Sequence, residues 1–251
     1  MGTDIERLTE TLDSFNAEQR RRALAQLAEL ARSGELELQP CHGWVNLHSH
    51  TFFSYNGYGY SPSRFAWEAC RRGLEVAGIV DFDVLDGTEE FLRAGRMLGL
   101  KTTAGFETRV FIRQYRDRVI NSPKEPGVFY LVGTGFVRPP EPGTEAAETL
   151  SRMKAAARER NRAMMQRINA HLDPVCIDYE QDVLPRTAAG NATERHMLAA
   201  YEQKAREMFP DEDELAPFWA DKLEEDRSEV RRLLHDVPAL KGLIRSRLMK
   251  H

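Results

Sequence analysis

The stretch Asn46-Leu47-His48-Ser49-His50-Thr51 ends an apolar run with two histidines two residues apart. Side chains alternate along a β-strand, so His48 and His50 leave an extended backbone on the same face. Neutral imidazole is a common ligand of zinc, iron and manganese. The stretch therefore predicts a metal site at a strand end, although a His-x-His pair alone is also compatible with a polar strand end.

Short apolar strands alternate with amphipathic helices after this stretch. The predicted strands are 44–47, 76–80, 102–112 and 128–137, and the predicted helices between them are 62–72 and 86–98. Ser61-Pro62 is a typical helix start, with serine as the cap and proline in the first turn. The alternation predicts βαβ units and a parallel sheet or barrel, with active residues at the carboxyl ends of the strands.

Acidic residues follow the second predicted strand. Asp81 and Asp83 come directly after 76–80 and share a face of an extended backbone, so either carboxylate could join the two histidines in binding a metal. We favour Asp81 as a ligand. Asp83 or Asp86 could instead cap the next helix.

The third predicted strand carries Glu107 and Arg109, again two residues apart. Glu107 could bridge two metal ions, while Arg109 holds a substrate phosphate or carboxylate through two hydrogen bonds. The two side chains could equally form a structural salt bridge with each other. Because three successive strands end in metal-type ligands, the metal interpretation is favoured for Glu107.

These motifs, taken in order, resemble those of the PHP (polymerase and histidinol phosphatase) family. The resemblance covers roughly residues 44–133 and rests on four motifs, His48-Ser49-His50-Thr51, Ser61-Pro62, Gly78-Ile79-Val80-Asp81-Phe82-Asp83-Val84-Leu85-Asp86-Gly87 and Gly105-Phe106-Glu107. It implies an α/β fold, a distorted, TIM-like (β/α)7 barrel with a two- or three-metal centre that hydrolyses phosphate esters. This chain would contain a part of that barrel.

The resemblance also implies roles for individual residues. It makes His48, His50, Asp81 and Glu107 ligands of one or two divalent ions, which would be zinc, manganese or iron. The segment Thr193-Glu194-Arg195-His196-Met197 resembles an arginine-histidine segment that lies near the substrate in some members. Arg195 and His196 therefore join Arg109 as candidate catalytic residues, and His196 could equally be an ordinary helix histidine.

The chain departs from the family pattern at three places. Phe82 stands where the family usually has histidine, Tyr130 stands where another metal histidine is expected, and an Asp-x-His motif near the carboxyl end has no counterpart. One explanation is a longer protein with further strands beyond His251, since about four predicted strands are too few for seven. The other is a catalytically degenerate member that serves as a binding or scaffold protein.

Three segments organise the chain. They are an N-terminal helical segment (1–40), a barrel portion (41–138) and a linker with a helical region (139–251) that forms an insertion or cap. Asn16 is the predicted cap of the second N-terminal helix, and Gly34 the predicted end of that helix. In the last segment, helices are predicted over 145–171, over 192–209 and from Pro217 to the end.

Composition limits the possible functions. With 41% apolar and 29% charged residues, the chain is typical of a soluble globular protein, and its net charge of −4 gives no case for general nucleic-acid binding. Three widely spaced cysteines predict reduced thiols, and no stretch has the roughly 18 apolar residues of a membrane span. We expect a cytoplasmic enzyme without a membrane partner, acting on a phosphorylated small molecule or nucleotide; the oligomeric state is left open.

Overall fold

A computed structural model describes residues 2–122 and 124–249. Residue 1 of the predicted N-terminal segment, residue 123 of the predicted barrel portion and residues 250 and 251 of the predicted helical region lie outside the described residues. The chain divides into two compact units, residues 1–154 and residues 155–251. The first unit contains α1 (Gly2–Thr11), α2 (Ala17–Arg32), β1 (Trp44–Asn46), α3 (Pro62–Arg71), β2 (Leu74–Phe82), α4 (Thr88–Leu98), β3 (Lys101–Phe111) and β4 (Val128–Thr134). The fold is therefore mixed α/β. The division into a barrel portion and a cap stays a prediction.

The four strands form one sheet in the order β1-β2-β3-β4. β1 pairs with β2 and β2 with β3 in parallel, as the strand-helix alternation predicts, but β3 pairs with β4 in the antiparallel direction. The prediction of a parallel sheet is wrong for this last pair. A parallel crossover usually contains an α-helix, whereas the described residues of the connection after β3 (112–122 and 124–127) form only the 3-10 turn Arg113–Tyr115.

Helices α2, α3 and α4 cover one face of the sheet. Alternate residues of β2, Ala77 and Ile79, are buried against these helices with Ala104 of β3. Trp67 of α3 and Phe91 of α4 are almost fully buried in the same core. The intervening residues of β2 and β3 point to the opposite face of the sheet. On that face, Phe82 of β2 is the register partner of Glu107 of β3.

Gly78 allows the chain after β1 to run close to β2. A Cβ atom at Gly78 would lie 2.8 Å from the carbonyl oxygen of Leu47 and 2.9 Å from its Cα, so a larger residue would push the two segments apart. The Val80 N–H donates to the carbonyl of Ser49 at 2.8 Å, which extends the contact beyond the end of β1. This glycine thus lets the histidine segment continue along the sheet.

The second unit is helical. α5 (Glu145–Leu172) begins in the first unit and continues into the second, where it is followed by α6 (Glu194–Met208), α7 (Glu212–Leu223), α8 (Arg227–Leu233) and α9 (Val237–Leu248). α7 begins before the predicted Pro217, because the Asp211 carboxylate caps it by accepting from the Asp213 N–H at 2.8 Å. Tyr201 and Trp219 are central to its core. No helix in the described part of the chain has the length and apolar content to cross a membrane.

Candidate metal centre

His48 and His50 lie in the extended segment directly after β1. The Asn46 side chain shapes this segment, because its Oδ1 accepts from the His48 N–H at 3.1 Å and its Nδ2 donates to Ser49 Oγ at 3.1 Å. Ser49 is in turn bonded to β2 through its carbonyl. Ser49 therefore fixes the backbone between the two histidines.

Three potential ligand atoms converge at this point. His48 Nε2 lies 2.9 Å and His50 Nε2 lies 3.4 Å from Glu107 Oε2. One ligand atom from each of these residues lies within 4.8 Å of both others. Bonds of about 2.1 Å in a tetrahedral site place neighbouring ligands roughly 3.4 Å apart. The spacing of the group therefore fits a single divalent ion with small side-chain adjustments.

Burial differs across the group. The Glu107 side chain is 10% exposed and His50 is 21% exposed, whereas His48 is 57% exposed. Burial lowers the pKa of His50, outweighing the opposite effect of the Glu107 carboxylate. The neutral imidazole that a metal requires is thus favoured at His50. Exposure of His48 leaves one side of the group open to a water molecule or a substrate group.

The environment of His50 orients its ring. Nδ1 of His50 is buried and makes no hydrogen bond of normal geometry in the described structure, although the Val80 backbone lies close enough to favour protonation of this histidine. A proton on Nδ1 leaves the lone pair on Nε2, the atom that faces Glu107. Phe82 stacks on the same imidazole with 4.3 Å between ring centroids and an interplanar angle of 16°. The aromatic contact supports the ring where the family pattern has a histidine.

Asp81 lies close to this segment but not within the three-ligand group. Its Oδ1 accepts from the Thr51 N–H at 2.6 Å and from Ser54 Oγ at 2.7 Å, and its Oδ2 accepts from Thr51 Oγ1 at 2.6 Å. Burial raises the pKa of this carboxyl, and the three donors oppose that effect. Asp81 therefore anchors the turn that follows His50. Sequence reasoning missed Thr51 and Ser54, for which the only signal was two hydroxyl residues after the histidine pair.

The two acidic residues that follow β2 do not cap α4. The N-cap is Gly87, which has no side chain to accept a hydrogen bond, so the capping alternative is wrong. Asp83 instead bonds β3, because its N–H donates to the Glu107 carbonyl at 2.9 Å and its carboxylate accepts from Thr108 Oγ1. Asp86 pairs with Lys154 at 3.3 Å. Asp83 thus helps to hold the backbone of Glu107 against β2.

Arg109 pairs with Glu125, while Glu107 faces the histidines. The alternative prediction, a salt bridge between Glu107 and Arg109, is therefore wrong. Tyr130 is the register partner of Arg109 on β4, and the Asn121 side chain bonds its backbone N–H and carbonyl. Arg109 and Tyr130 thus lie beyond Glu107 along the sheet.

Arg195 and His196 begin α6 in the second unit. The Thr193 N–H donates to His196 Nδ1 at 3.0 Å, and Thr193 Oγ1 accepts from the Arg195 N–H at 3.3 Å. His196 is buried, and burial together with the charge of Arg186 lowers its pKa to about 4. The neutral His196 ring thus closes the N-terminus of α6. A catalytic role for either residue stays a prediction.

Comparison with known proteins gives matches in structure alone. No family model and no curated protein sequence matches the chain. A solved structure from Bifidobacterium adolescentis, provisionally named a metal-dependent phosphoesterase, is similar with a TM-score of 0.50 and 19% identity, over 73% of this chain and 56% of that one. An amidohydrolase from Chromobacterium violaceum, solved with bound sulfate and no metal, gives a TM-score of 0.48 and 16% identity, over 66% of this chain and 51% of that one.

The chain thus spans about half the length of the two solved structures. At 19% identity, the similarity to the Bifidobacterium protein shows a shared fold and does not by itself assign an activity. Membership of the PHP family stays a prediction. The chain shares its fold with the Bifidobacterium protein and has, at the edge of its sheet, a three-residue group that could hold a metal ion.

Proposed function

We propose that this chain is a metal-dependent hydrolase of phosphate esters, with one divalent ion held by His48, His50 and Glu107. The observation that carries the proposal is the convergence of two imidazole nitrogens on one carboxylate oxygen, at 2.9 and 3.4 Å. Three protein ligands with an open side are typical of catalytic rather than structural zinc sites. The shared fold with a provisionally named metal-dependent phosphoesterase supports the same class of chemistry.

The donor set favours one ion. Two nitrogens and one carboxylate oxygen suit zinc, manganese or iron. Both oxygens of Asp81 already accept from Thr51 and Ser54, and Phe82 presents a phenyl ring where a further imidazole is expected. When bound, a divalent ion supplies Lewis acidity, which makes water nucleophilic near neutral pH and polarises a phosphoryl oxygen.

The residues of the chain then have separate tasks. Glu107 and the two histidines bind the ion, Phe82 holds the His50 ring, and Asp81 holds the turn after it. Arg109, on the same face of β3 as Glu107, offers a guanidinium that matches phosphoryl oxygens and offsets charge that grows on them. A phosphorylated small molecule or a nucleotide is the substrate class that we propose.

A second candidate is a protein that binds metal through the same group without turnover. It is favoured by Phe82 and Tyr130, which cannot supply the imidazoles that the family pattern predicts at these positions. A third, a metal hydrolase of another substrate class, shares the ligands and differs from the first in substrate alone.

Metal content and hydrolysis distinguish these functions. We would measure zinc, manganese and iron per chain and the hydrolysis of an aryl phosphate by wild type, His50→Ala and Glu107→Gln. His235→Ala is the matched control, because His235 is an exposed histidine of the second unit, paired with Glu212 at 3.5 Å. Loss of metal and of hydrolysis in the first two variants, with an unchanged control, is expected. Metal binding without hydrolysis of the aryl phosphate would favour the second or the third candidate over the first, and wild-type protein that binds no metal would refute the proposal.

A further inference from the structure

Arg109 has hydrogen-bonding capacity that the described protein leaves unused. Its Nη2 donates to Glu125 Oε1, while its Nε is buried and makes no hydrogen bond to any described residue. A guanidinium binds an oxyanion best through the edge that carries Nε and one Nη. That edge is therefore half occupied, by a single carboxylate oxygen.

Glu125 is held in this position by its own surroundings. Its second oxygen accepts from Ser122 Oγ, and its N–H donates to the Ser122 carbonyl at 3.2 Å. The neighbouring Asn121 fastens this part of the chain to β4 through two hydrogen bonds to the backbone of Tyr130, at 2.9 and 3.3 Å. The carboxylate is thus presented to Arg109 by an anchored segment.

The pair lies beside the candidate metal ligands. Glu107 and Arg109 are two residues apart on β3, so they share a face and their Cα atoms lie about 7 Å apart. One oxyanion, or two groups of one small substrate, can span this distance. Arg109 and Glu125 are both partly exposed, at 30% and 37%, so a ligand can approach the pair from solvent, whereas the Nε atom itself is buried.

We propose that Arg109 forms an anion subsite that Glu125, held in place by Ser122, fills until a ligand displaces it, and that this internal carboxylate makes the subsite selective for phosphoryl groups over carboxylates. The inference rests on the proposed function, because it assigns the phosphoryl group of the substrate to Arg109.

The selectivity follows from competition between anions. A tethered group acts at an effective concentration of about a millimolar or more. An external carboxylate has the same chemistry as Glu125 and cannot displace it at lower concentrations. A phosphoryl dianion has up to twice the charge and three acceptor oxygens, so it gains more from the same guanidinium edge.

The experiment is calorimetric titration of the metal-loaded protein with inorganic phosphate and with acetate. For Glu125→Gln we expect phosphate to bind roughly 3- to 10-fold more tightly than to wild type, the range set by a partly exposed charged pair. We also expect acetate binding to become measurable. The matched control is Asp117→Asn, which removes the same charge from an 87% exposed side chain of the same connection and should bind phosphate as wild type does.

Two further variants locate the effect. Adding Arg109→Met to Glu125→Gln should abolish the gain, and Ser122→Ala, which leaves Glu125 in place but less firmly held, should give a smaller gain. If Glu125→Gln does not fold, Ser122→Ala alone decides. Phosphate affinity that is unchanged in the folded variants, or raised equally by Asp117→Asn, would overturn the inference.

The same titrations in a His50→Ala background separate this inference from the proposed function. A gain from Glu125→Gln that persists without metal supports the subsite even if hydrolysis is never found. Hydrolysis that depends on His50, combined with no effect of Glu125→Gln, would retain the metal hydrolase and refute the subsite.

Discussion

Replacing Asp81 separates an anchoring role from a ligand role. Its two oxygens accept three hydrogen bonds at 2.6, 2.6 and 2.7 Å in a fully buried position. Asparagine can keep the two bonds to one oxygen but turns an amide toward the third donor. A hydrogen bond to a charged group contributes about 1.5–3 kcal/mol to stability. Burial of the charge is unfavourable, which raises the pKa of the carboxyl, and the neutral amide avoids part of this desolvation cost. We therefore expect Asp81→Asn to lower the free energy of unfolding by about 2 kcal/mol, and Asp81→Ala, which leaves all three donors unpaired, by about 4 kcal/mol.

The assay is urea unfolding of metal-free protein followed by tryptophan fluorescence. Trp44 and Trp67 report on the first unit and Trp219 on the second, so the Asp81 variants and their control would carry Trp219→Phe. Asp86→Asn is the matched control. It removes a partly exposed pair with Lys154, which contributes at most about 1 kcal/mol.

The metal readout decides between the two roles. An anchor that acts through the turn after His50 predicts that Asp81→Asn still binds one ion per chain, with weaker affinity. Unchanged stability of the metal-free variant, together with complete loss of the ion, would refute the anchoring role and make Asp81 a ligand.

Three other substitutions test separate parts of the structure. Gly78→Ala should destabilise the first unit by more than about 2 kcal/mol and reduce metal binding, because its Cβ would collide with the Leu47 backbone. Urea unfolding measures the first effect and metal content the second. A stable, metal-loaded variant would contradict the close approach of Leu47 to β2. Phe82→His should raise metal affinity at least 10-fold in calorimetric titration if position 82 faces the ion, since it adds an imidazole beside His50, and weaker binding would count against that placement. His196, with its pKa lowered from 6.5 to about 4, contributes stability that is complete above pH 6.5 and is lost as the pH falls towards 4, because the unfolded chain takes up the proton first. The loss of unfolding free energy should reach about 3 kcal/mol relative to His196→Gln, which keeps an acceptor at the cap. Urea unfolding followed at Trp219 measures it. Equal pH profiles of the two proteins would show that His196 titrates alike in the folded and the unfolded chain.

Much of the first unit could be predicted from sequence because its local signals agree. Asn16 and Ser61 cap α2 and α3 as the sequence predicts, and each observed strand overlaps a predicted one, with ends that differ by a few residues. The direction of β4 could not be predicted from its own residues, because an apolar strand pattern is the same in both directions. The informative signal was the connection before it, residues 112–127, which lacks the apolar period of a crossover helix.

The candidate site was predicted in part because strand ends of a parallel sheet meet at one edge. This reasoning brings the histidine pair and Glu107 together without any knowledge of packing. It cannot tell which residue at the end of β2 faces the pair, because a buried parallel strand is apolar on both faces and its alternation carries no signal. Arg109 was placed beside Glu107, but its partner Glu125 comes from a connection whose path the sequence does not specify.

The register of the sheet resolves that ambiguity in favour of position 82. Asp81 shares a face with Ala77 and Ile79, which α2, α3 and α4 cover, whereas Phe82 is paired with Glu107 on the opposite face. A carboxylate on the helix-covered face can anchor a turn, and a side chain at position 82 can contact the ligands. We therefore expect the residue at position 82 to set the number of ions that the proposed centre can hold, and a phenylalanine there to favour one.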